Sequence, residues 1–151
     1  MKKRMLQVGL VVALVAVAIM HRGRSALPET PREAIDALFK AASEGDDAAY
    51  LALLDGEVRR SLSSTRAQLG VSAFRESLRR SAAGMKGLAT TEAEGLEADT
   101  VTMDVEIVFE DRNERQQIAL APKGNGWIIT GIGKAEVIKP SIPYGTPVFG
   151  E

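Results

Sequence analysis

Asp104 and Glu106 stand two residues apart in a stretch where apolar and polar residues alternate, so their carboxylates share one face of a strand. Acids so placed could take and return a proton in general acid–base work. Tyr50, on the apolar side of a helical segment, is the one further polar candidate for an interior site. Together the three would support proton transfer on a small molecule. Other chemistries are excluded. The chain has no cysteine, which removes thiolate nucleophiles, zinc–cysteine sites, disulfides and a lipidated N-terminal cysteine. Its one histidine, His21, lies outside the folded part, so neither a Ser-His-Asp triad nor a multi-histidine metal site can be built there. Asp46, Asp47 and Asp55 fit no calcium loop, and acids at a helix start explain the Asp46-Asp47 pair better. No metal and no cofactor is expected.

The strand carrying the two acids also argues against their catalytic use. Val101, Met103, Val105, Ile107 and Phe109 alternate with Thr102, Asp104, Glu106 and Glu110, giving one apolar and one wet face, with Val108 the exception on the wet side. If the apolar set is buried, both acids face solvent. Bringing either inward takes a one-residue slip, which would expose the whole apolar set. An unpaired carboxylate in an apolar pocket would cost several kcal/mol or be forced neutral.

Three helical regions precede this strand. Thr30-Pro31-Arg32-Glu33 is a capping box with proline at the first helical position, followed by Ala34, Ile35, Leu38, Phe39 and Ala42 on one face. Gly45 stops this helix, and Asp46 caps a shorter one through Leu54, which Asp55-Gly56 breaks. Residues 57–87 form a third, less regular region with Val58, Leu62, Leu69, Phe74 and Leu78 as buried candidates and Ser72 as a cap. After the long strand, Gln116–Ala121 forms another, ended by Pro122. Asn125-Gly126 signals a hairpin, and Trp127–Gly133 follows it. A weaker strand is expected within Leu88–Glu97. The order is helices first and sheet last, an α+β domain with an antiparallel meander.

Charge is close to balanced, with 19 basic against 20 acidic residues among 151, but unevenly placed. Residues 1–26 hold Lys2, Lys3, Arg4, Arg22 and Arg24 and no acid, so the rest of the chain is acidic and a strongly basic nucleic-acid binder is excluded. Between Lys2–Arg4 and Arg22, the run Met5–Met20 is apolar except for Gln7. It reads as a signal anchor or a signal peptide, and Arg24 is a poor neighbour for cleavage after Ala26. Sixteen helical residues reach about 24 Å at ~1.5 Å each, short of a hydrocarbon core of ~30 Å, so an anchor needs snorkelling or local thinning. The positive-inside bias puts the domain on the exported side of the plasma membrane, as a single-pass protein, or in the periplasm or medium after cleavage. Residues 57–86 carry seven basic and two acidic residues, and residues 87–114 carry nine acids and one base. The basic side would suit anionic headgroups or the acidic sheet of a second copy, and the simplest reading is a solvated surface. Residues 139–151, with Pro140, Pro143 and Pro147, read as an extended tail.

Over residues 29–138 the chain resembles the nuclear-transport-factor-2-like superfamily, the cone fold shared with ketosteroid isomerase and SnoaL-like proteins. The residues behind the resemblance are Thr30-Pro31-Arg32-Glu33-Ala34 and its helix to Ser43, the Glu44-Gly45-Asp46 junction before Ala48–Leu54, and the late Gly126-Trp127-Ile128-Ile129 strand. It implies three helices packed on a curved antiparallel sheet, a cone-shaped α+β barrel, over a domain of residues 27–138. Its layout, a short anchor and one cone, is similar to that of many bacterial proteins of unknown role. A pocket at the wide end of the cone would be lined by Tyr50, Met103, Val105, Ile107 and Trp127. Tyr50 and Trp127 also read as ordinary packing aromatics.

The expectation is a membrane-tethered, non-catalytic domain of the cell envelope that holds a hydrophobic small molecule or a partner protein. One alternative is a SnoaL-like isomerase, cyclase or hydrolase using Asp104 or Glu106 with Tyr50. Another is a structural module that forms a homodimer through its outer sheet face. Expected partners are thus the membrane, a hydrophobic ligand, an envelope protein or a second copy, and no nucleic acid.

Overall fold

The computed structural model describes residues 26–93 and 99–138. The tail at 139–151 and nearly all of the expected leader lie outside them. Among the described residues no helix is long and apolar enough to cross a membrane, so the expected single-pass transmembrane helix is not found there.

Among the described residues four helices come first: α1 (Pro31–Glu44), α2 (Asp47–Ala52), α3 (Gly56–Leu69) and α4 (Val71–Ala82). Thr30 caps α1 as its residues require. The Glu33 N–H donates to the Thr30 hydroxyl at 3.2 Å, and the Glu33 carboxylate accepts from the Glu29 N–H at 3.1 Å. Gly45, at φ 67°, ends α1 in the left-handed region. Asp46 caps α2 through the Ala49 N–H at 3.0 Å.

The third helical region is two helices, not one. Gly70 sits between them at φ 87°, a conformation only glycine adopts without strain. It ends α3 and starts α4, and α4 has no side-chain cap, so Ser72 does not play the expected role. Phe74, Leu78 and Ala82 recur at four-residue spacing and are buried, whereas α3 buries no residue fully and leaves Leu69 54 % exposed.

Five strands follow among the described residues: β1 (Met85–Glu92), β2 (Val101–Phe109), β3 (Asn113–Lys123), β4 (Gly126–Ile132) and β5 (Glu136–Ile138). They form one antiparallel sheet in the order β1-β2-β3-β4, with β5 beside the Asn113–Arg115 end of β3. The strand expected within Leu88–Glu97 starts three residues earlier, because Met85 pairs with Phe109. Pro122 does not end β3. It pairs with Trp127, near the end of the hairpin, and β3 runs on to Lys123. The hairpin loop is Gly124-Asn125 rather than Asn125-Gly126. Gly124 has φ 61° and Asn125 has none of the positive φ that a type I′ turn demands, so the turn is type II′.

Helices and sheet meet in one core. Ala34, Ile35 and Leu38 of α1, with Leu53 and Leu54 after α2, pack on Met103, Val105, Ile107, Phe109, Ile118, Leu120 and Ile129. A second cluster joins Ala42 of α1 to Phe74, Leu78 and Ala82 of α4. Over the described residues the fold is therefore α+β, with four helices packed on an open antiparallel sheet, and not a closed cone over three helices. Along the outer edge of β4 the chain itself supplies partners. The Ile129 N–H donates to the Leu53 carbonyl at 2.9 Å, the Asp55 N–H donates to the Ile129 carbonyl at 2.8 Å, and the Trp127 N–H donates to the Pro28 carbonyl at 2.9 Å.

Candidate functional site

The contact at Pro28 fixes how the chain arrives at the domain. A side chain at Gly126 would put its Cβ 2.6 Å from the Leu27 Cβ and 2.8 Å from the Pro28 carbonyl oxygen. Glycine is required there because the lead-in segment crosses directly over β4. Held in place, Ala26-Leu27-Pro28 forms one wall of a groove of about 310 Å3. Ala37, Ala41, Lys40 and Glu44 of α1 form the floor and one rim, and Ala49, Ala52 and Leu53 the other side. The small alanines create the space, since each removes the side-chain volume a Leu or Ile would place there. Apolar groups line the groove, and Lys40 and Glu44 are its two charged residues. Its size is at the lower end of the ~300–1,000 Å3 typical of small-molecule sites. At ~30 Å3 per water it would hold about ten waters, or an apolar ligand of about ten non-hydrogen atoms.

Just beyond the α1–α2 corner lies a buried charge. Asp47, the first residue of α2, has no exposed side-chain surface. Its two oxygens accept from the Arg66 Nε and the Arg75 Nε, each at 2.5 Å. The arginines keep 37 % and 49 % of their side-chain surface in water, so they, and not deep core, seal the carboxylate. The Arg75 hydrogen bond is the largest influence holding the Asp47 carboxyl below its ordinary value, with Arg66 adding to it and burial opposing it. Arg79 lies against the same corner and donates from Nε to the Glu44 carbonyl at 3.3 Å. The three helices α2, α3 and α4 are thus tied by one carboxylate. Asp55 caps α3 through the Gly56 N–H at 2.8 Å and pairs with Lys123 at 2.6 Å. Each of the three aspartates weighed as metal ligands therefore has a hydrogen-bonding role in the fold.

The residues of the alternative, catalytic reading do not meet. Asp104 and Glu106 are half-buried on the face of β2 opposite its buried side chains, and each is held by a residue of β3. The Gln117 Nε2 donates to Asp104 at 3.1 Å, and the Asn113 Nδ2 donates to Glu106 at 2.8 Å. With Ala89, Thr91 and Arg115 they line a shallow polar depression of about 260 Å3. Tyr50 is on the other side of the sheet, packed against both apolar clusters, and burial raises its hydroxyl pKa. The sheet separates the phenol from both acids.

The expected pocket residues are likewise structural in their placement. Met103, Val105 and Ile107 are buried in the main core, with Trp127 packed against it. Neither of the two cavities above is lined by Tyr50, Met103, Val105, Ile107 or Trp127. The groove lies on the helical side, where the sequence points to helix caps and apolar core faces, and Tyr50, the one pocket candidate there, does not line it. The one local signal for it is the run of small residues Ala37, Ala41, Ala49 and Ala52, which at helical spacing also reads as ordinary core. The Asp47 clamp carries no local signal, because its partners are 19 and 28 residues away.

Among solved structures the fold is similar to a cystatin-like protein from Ruminococcus gnavus, with a TM-score of 0.51 and 12 % sequence identity. The match covers 77 % of this chain and 43 % of that one, so the chain spans less than half of the protein it matches. No family model and no curated protein matches the sequence. At this identity the likeness concerns fold alone, and that fold is cystatin-like. The nuclear-transport-factor-2-like assignment is thereby overturned. Its motifs were two helix caps and a Gly-Trp strand start. Caps report where helices begin, and Gly126 is demanded by the crossing of Leu27-Pro28, so neither specifies one family.

Proposed function

We propose that the chain is a non-catalytic binding module of the cell envelope, and that its groove holds a small hydrophobic molecule or an apolar segment of a partner protein. The observation that carries this reading is the groove itself. It is apolar and open, with a lysine and a glutamate as its charged residues and neither Tyr50 nor the Asp104–Glu106 pair in its wall. Lys40 and Glu44 suit a ligand with a polar end beside an apolar body. Placement in the envelope is supported by the basic start and apolar run of residues 2–20.

Ligand size sets the affinity. About ten buried non-hydrogen atoms at ~0.5 kcal/mol each, between the limits for tiny and drug-sized ligands, give about 5 kcal/mol. That corresponds to a Kd of about 0.1–1 mM for a simple aliphatic probe. The test is a titration of the full chain with decanol, followed by the same titration of an Ala52→Trp variant. Ala52 is exposed, so the indole fills the groove without entering the core. Saturable binding lost in the variant supports the reading, and binding of equal strength in both refutes it.

A further inference from the structure

We propose that the α3–α4 hairpin is a docking surface for an anionic lipid bilayer, touching it through an apolar tip and a collar of arginines. The proposal is independent of the groove, which lies elsewhere on the helical side. At the tip, Leu69 and Val71 flank Gly70 and are 54 % and 41 % exposed, the two exposed large hydrophobic side chains among the described helices. A turn of tight geometry holds them together, because Gly70 at φ 87° allows α3 to end and α4 to begin with a single residue between them.

The collar lies about one turn behind the tip. Arg66 is three residues before Leu69, and Arg75 is four after Val71. Both guanidiniums are anchored on Asp47, yet one carboxylate neutralises only one of the two, and among the described residues neither has a second acidic partner. A positive charge is left over at a half-exposed, rigidly held position. Arg59, Arg60, Arg79 and Arg80 are exposed further back along the two helices, about 12–15 Å from the tip at ~1.5 Å per residue, and add a more distant positive field, against Glu57 and Glu76 in the same helices. Lys86, on β1, pairs with Glu110 at 3.7 Å. The Glu76–Arg79 contact, at 3.9 Å between exposed groups, neutralises little.

Apolar side chains at the extremity with arginines a turn behind match the layering of a bilayer surface, where acyl chains lie below phosphates. Leu69 and Val71 would enter the interface while the guanidiniums meet headgroup phosphates, gaining about 1 kcal/mol-scale attraction per basic residue close to an anionic leaflet. A soluble acidic partner would use the charge but would leave the two apolar side chains unexplained.

The chain lacks cysteine, so one introduced thiol gives one probe position. A Val71→Cys variant of the full chain, labelled with an environment-sensitive fluorophore, is mixed with vesicles of phosphatidylcholine alone or with a third of that lipid replaced by phosphatidylglycerol. A Thr91→Cys variant places the probe on the outer sheet face as control. The expected result is a blue shift and a several-fold rise in emission at position 71 with anionic vesicles only. It should vanish in about 1 M salt, where the Debye length falls to ~3 Å, and position 91 should stay silent. Adding Leu69→Asp to the labelled Val71→Cys variant should abolish the shift. Equal signals from both vesicle types, no signal at 71, or an equal signal at 91 would overturn the proposal. A shift that grows with protein concentration without vesicles would also overturn it and assign the surface to a second copy.

Discussion

Replacing Asp47 with asparagine should loosen the helical layer by an amount that can be worked out from its two contacts. Asn keeps the shape and one acceptor but removes the charge that Arg66 and Arg75 share. A hydrogen bond to a charged group contributes ~1.5–3 kcal/mol in favourable settings. Here both arginine heads stay 37 % and 49 % exposed, so water screens the pairs and resolvates the arginines once the charge is gone. About 1 kcal/mol for each contact, or about 2 kcal/mol in all, is the resulting cost. In a domain of ~110 residues that corresponds to a fall in Tm of about 8 °C. The pH dependence has a defined sign. The Asp47 carboxyl is held below its ordinary value of 3.8, so the folded state binds this proton less readily than the unfolded state. Its stabilisation is full above the unfolded value and is lost as pH falls through the lower folded value. Urea titrations followed by circular dichroism should separate wild type from Asp47→Asn most at pH 7, with the two curves converging below pH 4. Equal midpoints at pH 7, or a gap that widens in acid, would refute the assignment of the clamp.

Three further outcomes follow from named contacts. Gly126→Ala should cost about 1–3 kcal/mol, because its Cβ would collide with Leu27 and the Pro28 carbonyl, and hydrogen exchange should show the Trp127 amide losing protection. Tyr50→Phe should change stability by less than about 0.5 kcal/mol, while Tyr50→Ala should cost about 2 kcal/mol or more, as measured by urea unfolding, because its ring joins the two apolar clusters. Asp104→Asn with Glu106→Gln should leave decanol affinity within about twofold of wild type, since both acids lie across the sheet from the groove.

Much of the fold was legible because its signals are local. Thr30, Pro31 and Glu33 start α1, Gly45 ends it, and the alternation from Val101 to Phe109 assigns every side chain of β2 to a face. The hairpin was visible too, although Gly126 drew attention to the wrong loop. A glycine needed for a close chain crossing looks the same in sequence as one needed for a turn. Gly70 was hidden for a related reason, since a single glycine inside a long polar helical region gives no period change to mark a break. Strand β5 has three residues, and only its pairing with Asn113–Arg115 defines it. The fold family and the candidate site were the least legible. Caps and a Gly-Trp step specify local geometry, whereas sheet closure depends on contacts far apart in sequence. Met103, Val105 and Ile107 share an apolar face, but facing inward and lining a cavity are different properties. These three fill the core, while the space lies where alanines on α1 and around α2 leave the lead-in segment unsupported from below.

The methyl groups make the central claim directly measurable. With alanine and methionine methyls labelled in the full chain, decanol should shift the resonances of Ala37, Ala41, Ala49 and Ala52 and leave Met103 unmoved. A saturable shift at Met103 with the four alanines unchanged would place the ligand against the sheet and contradict the groove.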